Sequence, residues 1–390
     1  MEKLKNEVTE HLKGTIIPFW ENLRDDTYGG YYGLLDVDLQ LDKKAVKGCI
    51  LNSRILWFFS NAYLTLGQPS LLDEAKHAYT FLKNHCLDPE YGGVFWSVTY
   101  DGQPNEVIKH TYNQAFAVYA LSTYYDASGD TEALDLAWRL FDLIEGTCCD
   151  GIGYLEVFTR DFVLLEENDK LSENGVNAEK TMNTLLHVFE AYSELYRITK
   201  KPAVADKLRW IMDIIETKVY NPEKKRQEVF FDKNWNTLID LHSYGHDIET
   251  AWLIDRGCEI LGDPAYTEKM GKITAALAEK IYEKAFTGEC LLNECEKGVD
   301  DTNRVWWVQA EAVLGFFNAW EKTGDEKYKK AVYAVWEYIK AHVIDPRPGS
   351  EWFSELYENN EPVREKEIVE PWKCPYHNGR MCMEIIRRVK

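Results

Sequence analysis

The amino-acid sequence predicts an all-α fold, an (α/α)6 barrel of twelve helices with short β-hairpins at one end. Three observations lead there. Helix pairs recur along the chain. Each pair is followed by a short Gly- or aromatic-marked segment of strand character. The two ends of the chain each supply one unpaired helix, so a ring is complete only if the ends meet.

The first element is an amphipathic helix over about Leu4–Trp20, followed by "YGGYYGLLDV". The first pair is "ILNSRILWFFSNAYLTLGQPSLLDEAKHAYTFLKN" from Ile50, and the second is "HTYNQAFAVYALSTYYDASGDTEALDLAWRLFDLI" from His110. The third, "KTMNTLLHVFEAYSELYRITKKPAVADKLRWIMDII", turns on Lys-Lys-Pro. A fourth opens with "SYGHDIETAWLIDRGCEI", and a fifth is "VWWVQAEAVLGFFNAWEKTGDEKYKKAVYAVWEYI" from Val305. Four turns share a signal: Leu66-Gly67-Gln68, Ser128-Gly129-Asp130, Leu261-Gly262-Asp263 and Thr323-Gly324-Asp325. Glycine supplies the left-handed residue that ends one helix, aspartate caps the next, and Pro264 sits where a first-turn proline is tolerated. The strand segments are "YGGVFWSV" (Tyr91), "GYLEVF" (Gly153), "EVFFD" (Glu228), "CLLNE" (Cys290) and "EWFSEL" (Glu351), read as hairpins on one side of the array. The last helix spans about Tyr376–Arg388.

The first helix of each pair is apolar all round and is expected inside; the second carries a charged face and is expected outside. An open solenoid would need polar caps at both ends. "MCMEII" near the C-terminus is not polar. The chain is therefore expected to be one catalytic domain, 1–390.

Composition narrows the partners. Of the 390 residues, 45% are hydrophobic and 13% aromatic, which suits aromatic-lined clefts for sugar rings as well as helical cores. The net charge of −20 argues against nucleic acid or an anionic membrane surface, both of which call for a basic face. The nine cysteines are scattered and form no CxxC pattern, the N-terminal stretch lacks a signal-peptide apolar run, and no apolar stretch reaches membrane-spanning length. A cytoplasmic monomer acting on a small molecule is the expectation.

In such a ring the starts of the inner helices gather at one end. Asn52, Ser53 and Arg54 come from the first repeat, and His110, Tyr112 and Asn113 from the second. The third brings Asn183 and His187; the fourth His242, Tyr244, His246, Asp247 and Glu249. The fifth brings Arg304, Trp306, Trp307, Gln309 and Glu311; the sixth Trp372, Tyr376, His377, Asn378 and Arg380. Burying such groups is costly unless they are paired or used, so this end is the expected active site. His11, His77, His85 and His342 fall on outer helices or their ends and read as exposed surface histidines. His242 and His246 have the i, i+4 spacing of a metal pair. Gly245 starts the helix near His246, however, and the flanking acid of a zinc motif is missing, so no metal is expected. No GxSxG, P-loop or dinucleotide fingerprint is present, and no cofactor is expected.

The stretches "LNSRILWFFSNAY", "KHTYNQAFAVYAL", "LSENG", "KTMNTLLHV", "SYGHDIE", "RVWWVQAEAV" and "WKCPYHNGRMCMEII" resemble, in order and over essentially the whole chain, the cellobiose 2-epimerases of the N-acylglucosamine 2-epimerase superfamily. The resemblance implies an (α/α)6 barrel and a cofactor-independent epimerisation at C2 of the reducing-end glucose of β-1,4-linked disaccharides. It implies His246 and His377 as the acid/base pair and Arg54 as the donor to the enediolate. Glu249, one turn after His246, would orient that region or hydrogen-bond sugar hydroxyls, and Glu311 would set His377 or Arg54 in place. Tyr112, Asn183, His187 and Trp307 would contact the reducing-end sugar, and Trp372 would stack on the second sugar. Histidine suits proton transfer at C2 because its ordinary pKa lies near neutrality.

Three other readings compete. One is a mannose isomerase or N-acylglucosamine 2-epimerase of the same superfamily. Another is an (α/α)6 glycoside hydrolase, for which Glu249 and Glu311 would be the two carboxylates. The third is a non-catalytic sugar-binding module.

Overall fold

A computed structural model of the chain describes residues 1–168, 170 and 174–389. Leu171, Ser172 and Glu173 of the "LSENG" stretch lie outside the described residues.

Six inner helices form the wall of the ring: α2 (Cys49–Leu66), α4 (Thr111–Ser128), α6 (Met182–Thr199), α8 (Tyr244–Leu261), α10 (Trp306–Thr323) and α12 (Tyr376–Arg388). Each packs on the next, and α12 packs back on α2, so the ring closes. Their residues have no wet face: every residue from Cys49 to Ala62 is buried. The outer helices are α1 (Glu2–His11, running on through Leu12–Ile16 and Ile17–Glu21), α3 (Pro69–Phe81), α5 (Thr131–Leu143), α7 (Pro202–Ile214), α9 (Pro264–Lys284) and α11 (Glu326–Tyr338). They are one-sided. In α5 the buried residues are Ala133, Ala137, Leu140 and Phe141, spaced as one helical stripe. The N-terminal helix α1 covers α12, which completes the sixth pair.

The turn chemistry follows the sequence closely. Gly67, Gly129, Gly262 and Gly324 end α2, α4, α8 and α10 with φ of 68°, 74°, 69° and 69°. In the third pair Lys200 takes the same left-handed position at φ 52° without glycine's freedom. Asp130, Asp263 and Asp325 accept hydrogen bonds from the backbone N–H groups of Glu132, Ala265 and Lys327. Five of the outer helices carry a π turn, and each π turn presents a buried i, i+4 pair to the core, such as Leu82 and Cys86.

The expected local hairpins are present as short pairings, among them Leu87 with Val94, Val98 with Pro104 and Tyr220–Asn221 with Arg226–Gln227. Most strands are two residues long, and a second set of pairings joins the two ends of each helix pair. The residues leading into each inner helix pair with the segment that follows the next outer helix. Lys47–Gly48 pairs with Ser97–Val98, Lys109–His110 with Val157–Phe158, and Lys180–Thr181 with Phe230–Phe231. Leu241–Ser243 pairs with Glu294–Glu296, and Arg304–Val305 with Glu355–Leu356. Leu35 bridges to Val369, so the seam is sewn the same way. These pairings tie the start of each inner helix to its neighbour, and that fixes where the first-turn side chains point.

Three of the outer histidines, His11, His77 and His85, are not free surface groups, while His342 lies beside the ring of Tyr338 at 4.9 Å. His11 lies between Trp336 and Trp352, with ring centroids 6.1 and 6.0 Å away. His77 and His85 bond the carbonyls of Gly30 and Gly102, each at 3.0 Å. The indole N–H of Trp352 donates to Nε2 of His11 over 2.7 Å. An indole N–H can only donate, so His11 must be neutral there. Burial lowers its pKa to about 4. The unfolded chain, with an ordinary histidine near 6.5, binds this proton first as pH falls. Stability is therefore full above pH 6.5 and is lost as pH drops towards 4. Between pH 6.5 and 5 the loss should be on the order of 2 kcal/mol. His11→Gln keeps an acceptor without a titrating proton and should flatten this slope in urea unfolding series at the two pH values. An equal slope in both proteins would remove His11 as the cause.

All nine cysteines are free thiols, and no described helix is long and apolar enough to cross a membrane.

Candidate active site

The inner helices open towards a cavity of about 400 Å³ at the strand end of the ring. The site is built by a shared register. Tyr112, Asn183, Trp307 and His377 are the second residues of their helices, while Arg54, His187, Glu249 and Glu311 are the sixth. Residues four apart share a helix face, so the same face of each inner helix looks at the barrel axis. Arg54, Tyr112, Asn183, His187, His246, Glu249, Trp307, Trp372 and His377 all line the cavity. Glu311 does not; it lies buried behind His377. A second hollow of about 270 Å³ lies against α3, lined by Arg24, Lys76, His77 and His85 among others, and receives no inner-helix residue.

His377 is held from behind. Its Nδ1 lies 2.7 Å from Oε1 of Glu311, and the rings of Trp306 and Trp307 flank it at 5.4 and 5.3 Å. A carboxylate on Nδ1 keeps the proton there and leaves Nε2 as the basic nitrogen. Burial, then the charges of Arg380 and Arg54, push the His377 pKa well below the ordinary histidine value. His246 is half-buried, and its Nδ1 lies 2.7 Å from the Ser243 hydroxyl. Its ring lies 4.8 Å from that of Trp307. Burial lowers its pKa to about 3, with His187 adding to the fall. Trp307 reaches this place because residue 245 is glycine: a Cβ there would stand 2.5 Å from the indole.

Arg380 ties the floor of the site together. Its Nη1 donates to Glu190 over 2.5 Å, and its Nη2 donates to Glu249 over 2.5 Å and to Glu311 over 2.6 Å. Its guanidinium lies over the rings of Tyr376 and Trp252, and Trp252 Nε1 donates to Glu311 over 2.8 Å. Burial would raise the Glu190 carboxyl, but Arg380 and His187 outweigh it and hold it at about 2. Burial and mutual repulsion raise Glu249, and burial raises Glu311. Ligand atoms of Glu249, Glu311 and His377 lie within 4.8 Å of one another, a spacing that would suit a metal ion. The cation among these carboxylates is Arg380, whose own charge answers theirs.

Arg54 is differently placed. Its Nη2 donates to the Tyr112 hydroxyl over 2.7 Å and its Nη1 to the Trp372 carbonyl over 3.4 Å. Among the described residues it makes no ion pair with a carboxylate, so its charge is open to a ligand. Trp372 packs edge-on against Trp96 at the cavity wall, at 5.5 Å. The stretch carrying Trp372 and His377 is pinned by Glu351, which accepts from Lys373 and Asn378 over 2.6 Å each.

One expected pairing changes: Glu249 bonds Arg380 rather than the His246 region, and the group on His246 is Ser243. Of the two partners expected for Glu311, His377 is the one it bonds. His242 lies in the strand before α8 and bonds Asp247 over 2.7 Å, so it shares no ligand face with His246. His110 caps α4 by accepting from the Tyr112 backbone N–H, which takes it out of the site. Sequence reasoning missed the parts played by Ser243, Glu190, Trp252 and Tyr376, and left Arg380 without one.

Comparison with known proteins places this architecture. The N-acylglucosamine 2-epimerase family profile matches residues 20–378. The chain is 52% identical to a cellobiose 2-epimerase of Ruminococcus albus, covering 100% of this chain and 98% of that one. It superposes on the structure of a sugar epimerase from a ruminal bacterium with TM-score 0.97 at 52% identity, over 99% of each chain. It superposes on cellobiose 2-epimerase from Bacillus thermoamylovorans with TM-score 0.96 at 44% identity, over 100% of each.

Proposed function

As a member of the N-acylglucosamine 2-epimerase family this chain is a carbohydrate epimerase, and we propose that it inverts C2 of the reducing-end glucose of β-1,4-linked disaccharides. Cellobiose would become glucosyl-mannose, and lactose epilactose. One observation carries the mechanism. Two histidines, His246 and His377, pack against the same Trp307 indole at the cavity wall, each with Nδ1 engaged and Nε2 left for a substrate.

The C2 proton of an open-chain aldose is acidic because the resulting enediolate is delocalised. One imidazole removes it, and the other returns a proton to the opposite face. The enediolate oxygens need positive charge placed in advance. Arg54, which has no carboxylate partner among the described residues, supplies it. The inner-helix N-termini around the cavity add the positive end of their dipoles. Asn183, with an unpartnered Oδ1, is available to a sugar hydroxyl. Trp307 and Trp372 offer apolar faces to the two rings.

The hydrolase reading is weaker on this geometry. It asks for two carboxylates across a glycosidic bond. Glu311 is fully buried and saturated by His377, Arg380 and Trp252, so it does not reach one. Incubation with cellobiose in D2O should place deuterium at C2 of an intact disaccharide. Unlabelled free glucose as the product would overturn the epimerase reading. Faster turnover of mannose or N-acetylglucosamine than of cellobiose would move the substrate assignment to a monosaccharide.

A further inference from the structure

A one-ring and a two-ring sugar differ only in what they ask of the half of the cavity beyond the reacting ring. The two halves are built differently. Tyr112, Asn183, His187, Trp307 and His377 project from the first turns of inner helices, so the helices place them. Trp372 has no such support. It lies in the irregular stretch between Val369, which bridges to Leu35, and the start of α12 at Tyr376. Its carbonyl accepts from Arg54 Nη1 over 3.4 Å, which fixes the backbone but not the ring. Two other rings hold the indole: Trp96 meets it at 5.5 Å and Tyr112 at 5.8 Å.

Trp96 is placed as a buttress. It is buried, and it is not among the described residues that line the cavity. Its backbone N–H donates to the Glu106 carbonyl over 3.1 Å, and its carbonyl accepts from the Cys49 N–H over 3.0 Å. The next two residues, Ser97–Val98, pair with Lys47–Gly48. The ring of His110 lies 5.7 Å from the Trp96 ring. His110 is fully buried and is itself fixed, since it accepts the Tyr112 backbone N–H over 3.3 Å. One buried residue thus ties together the two rings that hold Trp372. A binding face is aimed accurately when packing on rigid elements locks it, and Trp96 gives Trp372 that support.

We propose that Trp96 is a positioning residue that sets specificity: it holds the Trp372 indole in place and so gives the protein its affinity for the second ring of a disaccharide, without touching the substrate. The inference rests on the proposed function for the sugar and for Trp372 as the face that the second ring meets. The C–H face of a sugar gains from an indole only when the flat of the indole is presented to it. An indole free to turn must be ordered when the sugar binds, and that cost is subtracted from the contact. Trp96→Leu opens space beside Trp372 and releases it. The second ring lies away from the reacting carbon, so its contact is the same in the ground and transition states. Its loss raises KM and leaves kcat in place.

The test is steady-state epimerisation of cellobiose by the wild type, Trp96→Leu and Trp96→Phe, with thermal melts to show that each folds. Trp96→Leu should raise KM about 10-fold and keep kcat within about twofold. Trp96→Phe keeps an aromatic edge towards Trp372, melts closer to the wild type and should recover most of the lost affinity. Deuterium uptake at C2 of D-glucose, which has no second ring, should be the same in all three proteins. If D-glucose takes up no deuterium even with the wild type, the split between KM and kcat on cellobiose decides alone. A wild-type KM in Trp96→Leu overturns the assignment. So does a fall in kcat at constant KM, or a loss on D-glucose that matches the loss on cellobiose, because either would mean that Trp96 supports the whole site. Absence of C2 turnover by the wild-type protein is a separate result, and it counts against the epimerase reading.

Discussion

His377→Asn is expected to lose about 10²- to 10⁴-fold in epimerisation rate, the usual contribution of a positioned general acid–base group. The asparagine amide can still donate towards Glu311, which accepts from His377 over 2.7 Å, so the buried carboxylate keeps a partner. The side chain no longer has a nitrogen that can exchange a proton at C2. The variant should melt within a few degrees of the wild type. Steady-state epimerisation of cellobiose, read with deuterium uptake at C2, measures the effect. Because the interaction is made in the transition state, kcat should fall and KM should move little. Wild-type turnover in the variant would remove His377 from the mechanism.

The largest effect on stability is expected at Arg380. This one guanidinium answers Glu190, Glu249 and Glu311, all of them buried. Arg380→Leu fills the space but strands three carboxylates in an apolar interior. Breaking a buried pair typically costs 3–5 kcal/mol, so a loss of at least about that size is expected in urea unfolding. Arg380→Lys should recover only part of it, since a single ammonium cannot span the three partners that the fork of Arg380 reaches. The sign of the pH dependence is a further check. Glu249 and Glu311 are already raised with Arg380 present; without it burial pushes Glu190 up as well and the other two further, so the folded variant holds more protons than the folded wild type where the unfolded chain, above about pH 4.5, has released them. The deficit should then widen as pH rises from 5 to 8. A leucine variant as stable as the wild type would mean that the carboxyls are already neutral and that Arg380 is not what compensates them.

The sequence speaks most clearly where structure is local. The Gly-Asp turn signals give the helix ends and caps, and they lie where expected at Gly129–Asp130, Gly262–Asp263 and Gly324–Asp325. Lys200 was harder to read because it takes a left-handed φ that its side chain does not advertise. The strands were legible as strands but not in their partners: Ser97–Val98 carries no mark that says it pairs with Lys47–Gly48. His11 reads as a polar residue on a charged helix. Only the arrival of Trp336 and Trp352 from the other end of the chain makes it a buried acceptor.

The same division holds in the site. The residues that face the cavity could be named from helix starts and from motif resemblance, because a helix's first turn and its i, i+4 face follow from 3.6-residue periodicity. What stands behind them could not. Arg380 and Glu190 are 190 positions apart and meet only across the barrel axis, and the hydroxyl on His246 belongs to a strand residue, Ser243. By itself the sequence determined twelve helices, their inner and outer roles, the closure of the ring and the cast of cavity residues, since each depends on periodicity, caps and the unpaired ends. Tertiary structure alone decided which carboxylate serves which histidine and that one arginine compensates three acids. Those contacts depend on the rotation of six helices about a common axis, a quantity that no local stretch of chain encodes.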